Sequence, residues 1–233
     1  MFDARQLLDQ VMGGLSPEPR GSAAGQGAQA GSSGGTGQLL TGALAGGVLG
    51  MLAGNKRARK LAGKSAGTAL KIGGLAAVAA IGYTAWQRSR GAPDTSLQLP
   101  PAESGFALEQ TPRGQDMLAR GVLVAMVQGA KADGHIDAEE HARIFQQIEA
   151  LSLDAEAKAF VMDELAAPQD VDRITAYASS PEVAAELYAA ALIAMDPDTA
   201  QERQFLIRLQ AALGLDAALA DHLEAAVRAE VQG

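Results

Sequence analysis

Two short acidic bends constrain this chain more than any other feature. Ala132-Asp133-Gly134-His135-Ile136-Asp137-Ala138-Glu139-Glu140 is echoed by Met195-Asp196-Pro197-Asp198-Thr199-Ala200-Gln201-Glu202. Each follows a segment with apolar residues at helical spacing, breaks at Gly or Pro, and enters a second such segment, the pattern of helix, turn, helix. Asp133 and Asp196 hold the same place in the two copies, and Glu139 and Glu202 each follow six residues later. Packing of the two halves about a pseudo-twofold axis would bring the acidic corners together.

The sequence around these bends predicts one all-α unit over residues 113–233, with seven short helices at 115–132, 138–150, 155–166, 170–179, 181–195, 199–213 and 217–230. No run of alternating β-branched residues competes. Asp137 with Glu140 three residues on has the form of a capping box, and Asp198 precedes a helix in the same way. Ser180 stands before Pro181 at a first helical position, Gly214 closes a helix, and Asp154 and Asp216 open others. Leu118, Val122, Met126, Ile144, Ile148, Phe160, Leu165, Ile174, Leu187, Leu192, Phe205, Leu209, Leu213 and Leu223 are the expected core.

Charge divides the chain. Between Glu18 and Asp94 there is no acidic residue, whereas from residue 101 onward 23 acidic residues face 9 basic ones, a net of −14. So acidic a module lacks the clustered Lys and Arg that neutralise phosphates, which argues against a nucleic-acid partner. With no cysteine there is no disulfide framework, thiolate nucleophile or Cys-based metal site.

Twenty of the 27 glycines fall in the first 91 residues. Residues 1–12 read as a short amphipathic helix, and 13–37 as a flexible linker of Gly, Ser, Ala and Gln that buries too little apolar surface to offset chain entropy. Residues 38–90 read as a membrane-associated region. Gly42, Gly46, Gly50 and Gly54 recur every four residues, and on a helix they line one face, the small-residue packing of membrane helices. A basic loop at 55–64 follows. A second apolar stretch, Ile72 to Trp86, repeats the spacing loosely through Gly74 and Gly82 and ends in Tyr83, Trp86, Arg88 and Arg90, like an interfacial helix end. At 17 and 15 residues both stretches are short against the roughly 20 that span hydrocarbon. A soluble glycine-rich tail is the competing reading. Residues 91–112 read as a second linker.

Carboxylates crowded at a corner suit hard cations such as Ca²⁺ and Mg²⁺, which take several oxygen ligands. Neither bend is an EF-hand: counted from Asp133, the turn glycine would fall at Ala138 and the bidentate glutamate at Ile144. Helix capping and first-turn dipole interactions account for Asp137, Asp198, Glu139, Glu140 and Glu202 equally well. Asp133 and Asp196, which precede the caps and recur in register, are what capping leaves unexplained. His135 and His141 lie beside the first corner. No nucleophile elbow, P-loop or dinucleotide fingerprint occurs, so no enzyme is expected.

On Ala132-Asp133-Gly134-His135-Ile136-Asp137 with Glu140, on Ala194-Met195-Asp196-Pro197-Asp198-Thr199 with Glu202, and on Leu213-Gly214-Leu215-Asp216, residues 113–230 resemble the TerB-like, tellurite-resistance-associated helical domain. The whole chain resembles the bacterial DUF533, or YebE-type, inner-membrane protein family. The resemblance implies a compact bundle of about seven helices with internal pseudo-symmetry and a role in metal or envelope stress response. It also implies a divalent metal ion held through Asp133, Asp137, Glu140, Asp196, Asp198 and Glu202. The expectation is a non-enzymatic module anchored in membrane lipid of the bacterial inner membrane, self-associating through its glycines. Its acidic corners would bind a divalent cation or a basic protein, or serve only as structural caps in an interaction scaffold. A metal-dependent hydrolase is the remote alternative.

Overall fold

Among the described residues the all-α expectation holds; the helix expected at 138–150 and the caps Asp137 and Asp154 lie outside them. The computed structural model describes residues 3–13, 74–93, 96–106, 112–132, 155–195 and 197–232. Among these it contains eight helices and no strand: α1 (Ala4–Gly13), α2 (Gly74–Ser89), α3 (Pro112–Ala130), α4 (Ala155–Ala166), α5 (Asp172–Thr175), α6 (Pro181–Ala194), α7 (Ala200–Leu213) and α8 (Ala217–Gln232).

The centre of the molecule is α6. It is apolar on every side, and a helix of that kind is stable only when surrounded. Every residue from Ala184 to Ala194 is buried. Ser180 starts it as expected, its Oγ accepting the Val183 amide at 3.2 Å, with Pro181 behind it. The main partner of α6 is α3, and glycine sets how closely they pack. A Cβ on Gly129 would lie 2.7 Å from the Ala191 carbonyl oxygen, and one on Gly121 would meet Tyr177 Cβ at 2.7 Å and Leu187 Cδ2 at 3.0 Å. These contacts advance in the same direction along both helices, so α3 and α6 run in the same sense. Helices α2 and α8 pack on each other and on α6, α1 bridges α2 and α3, α4 lies against α3, and α5 and α7 form the periphery.

The N-terminal pieces belong to the same core. Asp3 caps α1 through the Gln6 amide at 3.1 Å, the Ala4 amide donates to Asp116 of α3 at 2.9 Å, and Ala4, Leu7 and Leu8 are buried. Of the stretch expected at the membrane, Ile72 to Trp86, the described part from Gly74 on belongs to α2, and its apolar side chains go into protein. Leu75, Val78 and Ile81 are buried together with Ala77, Ala79, Ala80 and Ala85, each large side chain worth about 2 kcal/mol of transfer free energy. Gly82, expected in a lipid-embedded packing face, instead lies against Phe106 and Glu186. Gly74 is the first residue of α2. No helix among the described residues is long and apolar enough to cross a membrane. Gly42, Gly46, Gly50 and Gly54, the basic loop 55–64 and the linker from residue 14 onward lie outside the described residues.

Part of the second expected linker is a strap across the bundle. In residues 96–106 the Gln98 amide donates to Thr84 Oγ1 at 3.2 Å. Phe106, 3 % exposed, packs edge-on against Tyr83 and Trp86 with ring centroids 6.0 and 5.5 Å away. The helix expected at 170–179 is reduced to the single turn α5, pinned by the buried Ile174. Pro181 disfavours helical backbone at the residue before it, and four-residue turns closing at Tyr177 and Ala178 lead the chain off instead.

Candidate functional site

The two bends leave from one end of the molecule. Gly129 abuts Ala191 in the parallel α3–α6 pair. Three residues on from the first and four from the second, Ala132 and Met195 are the last described residues before the bends, and both are buried. Of the carboxylates expected to ligate metal, Asp133, Asp137, Glu140 and Asp196 lie outside the described residues.

Asp198 and Glu202 are described, and at their bend the oxygens already have partners. Thr199, rather than Asp198, is the N-cap of α7. Its Oγ1 accepts the Glu202 amide at 3.2 Å, while Glu202 Oε2 accepts the Thr199 amide at 2.9 Å and its hydroxyl at 2.7 Å, a complete capping box. Arg203 then donates to the carbonyl oxygens of Asp198 at 2.9 Å and Pro197 at 3.4 Å. Among the described residues no group of three or more His, Asp or Glu side chains is placed to hold a metal ion.

Beneath the first bend lies a buried polar cluster that joins α3, α4 and α5. Glu164 of α4, 3 % exposed, receives both arms of Arg173, Nε at 2.9 Å and Nη2 at 2.5 Å, and Gln128 Nε2 at 2.6 Å. Burial alone would push this carboxyl up; the bonds from Arg173 and Gln128, with the charges of Arg173 and Lys131, outweigh it and hold Glu164 below the usual carboxylate range. Lys131, at the very start of the bend, turns inward. Its Nζ donates to the carbonyls of Glu164, at 3.1 Å, and Ala167, so the lysine just past α3 caps the C-terminus of α4 where the helix dipole favours a cation. Burial lowers its pKa, offset in part by the Glu164 charge. The Lys131 carbonyl accepts Gln169 Nε2 at 3.2 Å, and Arg208 of α7 reaches Gln169 Oε1 at 3.4 Å. The base of the first bend is thereby tied to the helix that follows the second.

Sequence reasoning did not find this cluster, although a signal was present. Glu164 falls on the same helical face as Ala157, Val161 and Leu165, and a glutamate on a buried stripe requires a partner. At the other end of α6 is a half-open cavity of about 410 Å³, lined by Trp86, Pro181, Leu213, Leu215 and Leu219 among others. Asp216, the ionisable residue in its wall, caps α8 by accepting the Leu219 amide at 2.7 Å, so the cavity brings together no acid–base pair.

The described residues define an all-α protein in which α3 and α6 abut near the points where the two acidic stretches of sequence begin. The chain belongs to the DUF533 family, described as proteins of unknown function, whose model matches residues 38–227. Over 117 residues, 50% of this chain and 84% of the relative, it is 26% identical to a Yersinia enterocolitica protein described as an uncharacterized protein in the ampR 5′ region. No solved structure matches the chain significantly.

Proposed function

We propose that this chain is a non-enzymatic helical binding module of TerB-like form whose acidic end receives a basic segment of a partner protein. The carrying observation is the departure of both acidic bends from the same end of the parallel α3–α6 pair, in a region with net charge −14 from residue 101 onward. A rigid base supports it, since Lys131, Glu164 and Gln169 lock the root of the first bend. The glycine-spaced stretch 38–54 tethers the module to the bacterial inner membrane and provides a surface for self-association; the four-residue glycine interval supports this part. The likeness to TerB-like proteins supports a place in metal or envelope stress response.

A basic protein segment is favoured over a divalent ion by the second bend. A hard cation takes six or more oxygens, and there the Glu202 carboxylate and the carbonyls of Pro197 and Asp198 already accept hydrogen bonds. Long Lys and Arg side chains need only the field of the corner, which focuses attraction without stripping these oxygens of their partners.

The test uses the full-length protein and a labelled Lys/Arg-rich peptide. The expected result is binding that weakens steeply with salt and drops severalfold in Asp133→Asn and Asp196→Asn. Peptide affinity indifferent to both substitutions would refute the acidic end as the docking site. Calorimetric titration with Ca²⁺, Mg²⁺, Mn²⁺ and Zn²⁺ separates the metal reading: heat that disappears in the same two variants would install an ion there instead. Extraction of cell membranes with carbonate tests the tether, which fails if the protein is washed off.

A further inference from the structure

Within α6, one ionisable carboxyl sits at the seam with α2. Glu186 is 2 % exposed, and its Oε2 has no hydrogen-bond partner. Three elements meet there. A Cβ on Gly82 of α2 would lie 3.4 Å from Glu186 Cγ and 3.0 Å from the Phe106 ring. One turn earlier on α6, Glu182 lies beneath Gly105, where a Cβ would meet Glu182 Cδ at 2.7 Å. The strap therefore covers both glutamates, and Phe106 closes the junction by packing on Tyr83 and Trp86.

We propose that the strap, residues 96–106, is a proton-gated cover: it closes on α2 and α6 while Glu186 is neutral, and it lifts when Glu186 ionises, uncovering the Tyr83–Trp86 surface. On lifting, the proton passes to solvent and the carboxylate gains water. The alternative, a bare carboxylate in the closed junction, carries the full cost of desolvation. Of the three elements the strap is the one free to yield. The contact of Gly129 with Ala191 fixes α6 against α3, and α2 is packed against α8. The strap is held to α2 by Phe106 and the Gln98–Thr84 bond, with Leu97 partly buried against the core.

Other charged and titratable groups stand on the elements around α6: Tyr83 and Arg88 on α2, Glu103 on the strap, Arg113 and Asp116 paired with Arg120 on α3, Glu202, Arg203 and Arg208 on α7, and Asp221, His222, Glu224, Arg228 and Glu230 on α8, where Glu224 is bonded to Tyr188. The charge that acts on Glu186 is Glu182. Burial pushes Glu186 from 4.5 up to about 8, and Glu182 adds to the shift. The closed form thus holds the proton more tightly than the open one. Closure is fully favoured below pH 4.5, weakens as pH rises toward 8, and is independent of pH beyond; within that window the open-to-closed ratio grows about tenfold per pH unit.

Trp86 is the only tryptophan in the chain, so emission of the full-length protein reports on Phe106 directly. Between pH 5 and 9 the emission is expected to move to the red with far-ultraviolet circular dichroism unchanged. Hydrogen exchange in 96–106 is expected to accelerate relative to Glu186→Gln measured at the same pH, a comparison that cancels the intrinsic base dependence of exchange. Glu182→Gln should shrink the change, and it carries the test should Glu186→Gln fail to fold. An emission flat across the range, a transition preserved in Glu186→Gln, one untouched in Glu182→Gln, or one that coincides with loss of helix would overturn the proposal.

Discussion

A buried glutamate can hold a fold together or put it at risk, and α4 and α6 carry one of each kind. Glu164 is bound at both oxygens, and its pKa is depressed. Its contribution is present above the unfolded carboxylate value and is lost as pH falls through the folded one. Glu164→Ala would strand Gln128 and Arg173 and remove the counter-charge of Lys131, and urea unfolding at pH 7 is expected to show a loss of about 2–4 kcal/mol, moderated because Arg173 is half in solvent. Sequence exposed some of this detail and concealed the rest. Ser180, Gly214 and Asp216 were legible as caps because each sits alone at its helix end. At the second bend Asp198 and Thr199 both offer a capping oxygen, and only the Thr199 to Glu202 spacing, the rule already applied to Asp137 and Glu140, identifies the one in use. Thr199→Ala should cost about 1 kcal/mol, read from the thermal midpoint with or without added divalent ions. Glu186 was visible in principle as the one charge of α6 beyond its first turn, where Glu182 lies.

At the scale of elements, the close approach of α3 and α6 depends on an absent side chain. Gly129→Ala would drive a methyl group into the Ala191 carbonyl, and overpacking against backbone costs about 1–3 kcal/mol or more. Gly214→Ala meets no atom within 4 Å and pays only for its φ of 68°, about 1 kcal/mol. Side-by-side urea melts should rank Gly129→Ala as the more damaging, and equal losses would contradict the packing described. Which helix lay where was harder to read than which segments were helical. An apolar stretch rich in Ala and Gly suits lipid and deep protein core alike, and α2 was read for the former. Its 16 residues fall below the roughly 20 needed to cross a bilayer, which favours the core. The expected helix at 170–179 overran because the restraint that Pro181 places on Ser180 was not extended back through the turn.

For the whole molecule, Glu164 and Glu186 act in adjoining pH windows. Below 4.5 the protein loses the Glu164 contribution, and from 4.5 toward 8 it pays increasingly to keep Glu186 neutral. Thermal midpoints should therefore peak near pH 5 and decline toward pH 8. Surface repulsion from the net charge of −8 adds to that decline, but salt screens it. The part that survives salt and disappears in Glu186→Gln belongs to the buried carboxyl. The described residues between 113 and 232 share one continuous core with α1 and α2, so a 113–233 fragment produced alone should lose the sharp cooperative melt of the full chain. Where α2 lies also determines how the molecule would respond to mechanical load. A pull applied at Gly74 draws a buried rod lengthwise past α8: the load enters at Leu75 and Val78, and the aromatic clasp of Trp86 and Phe106 at the far end anchors it.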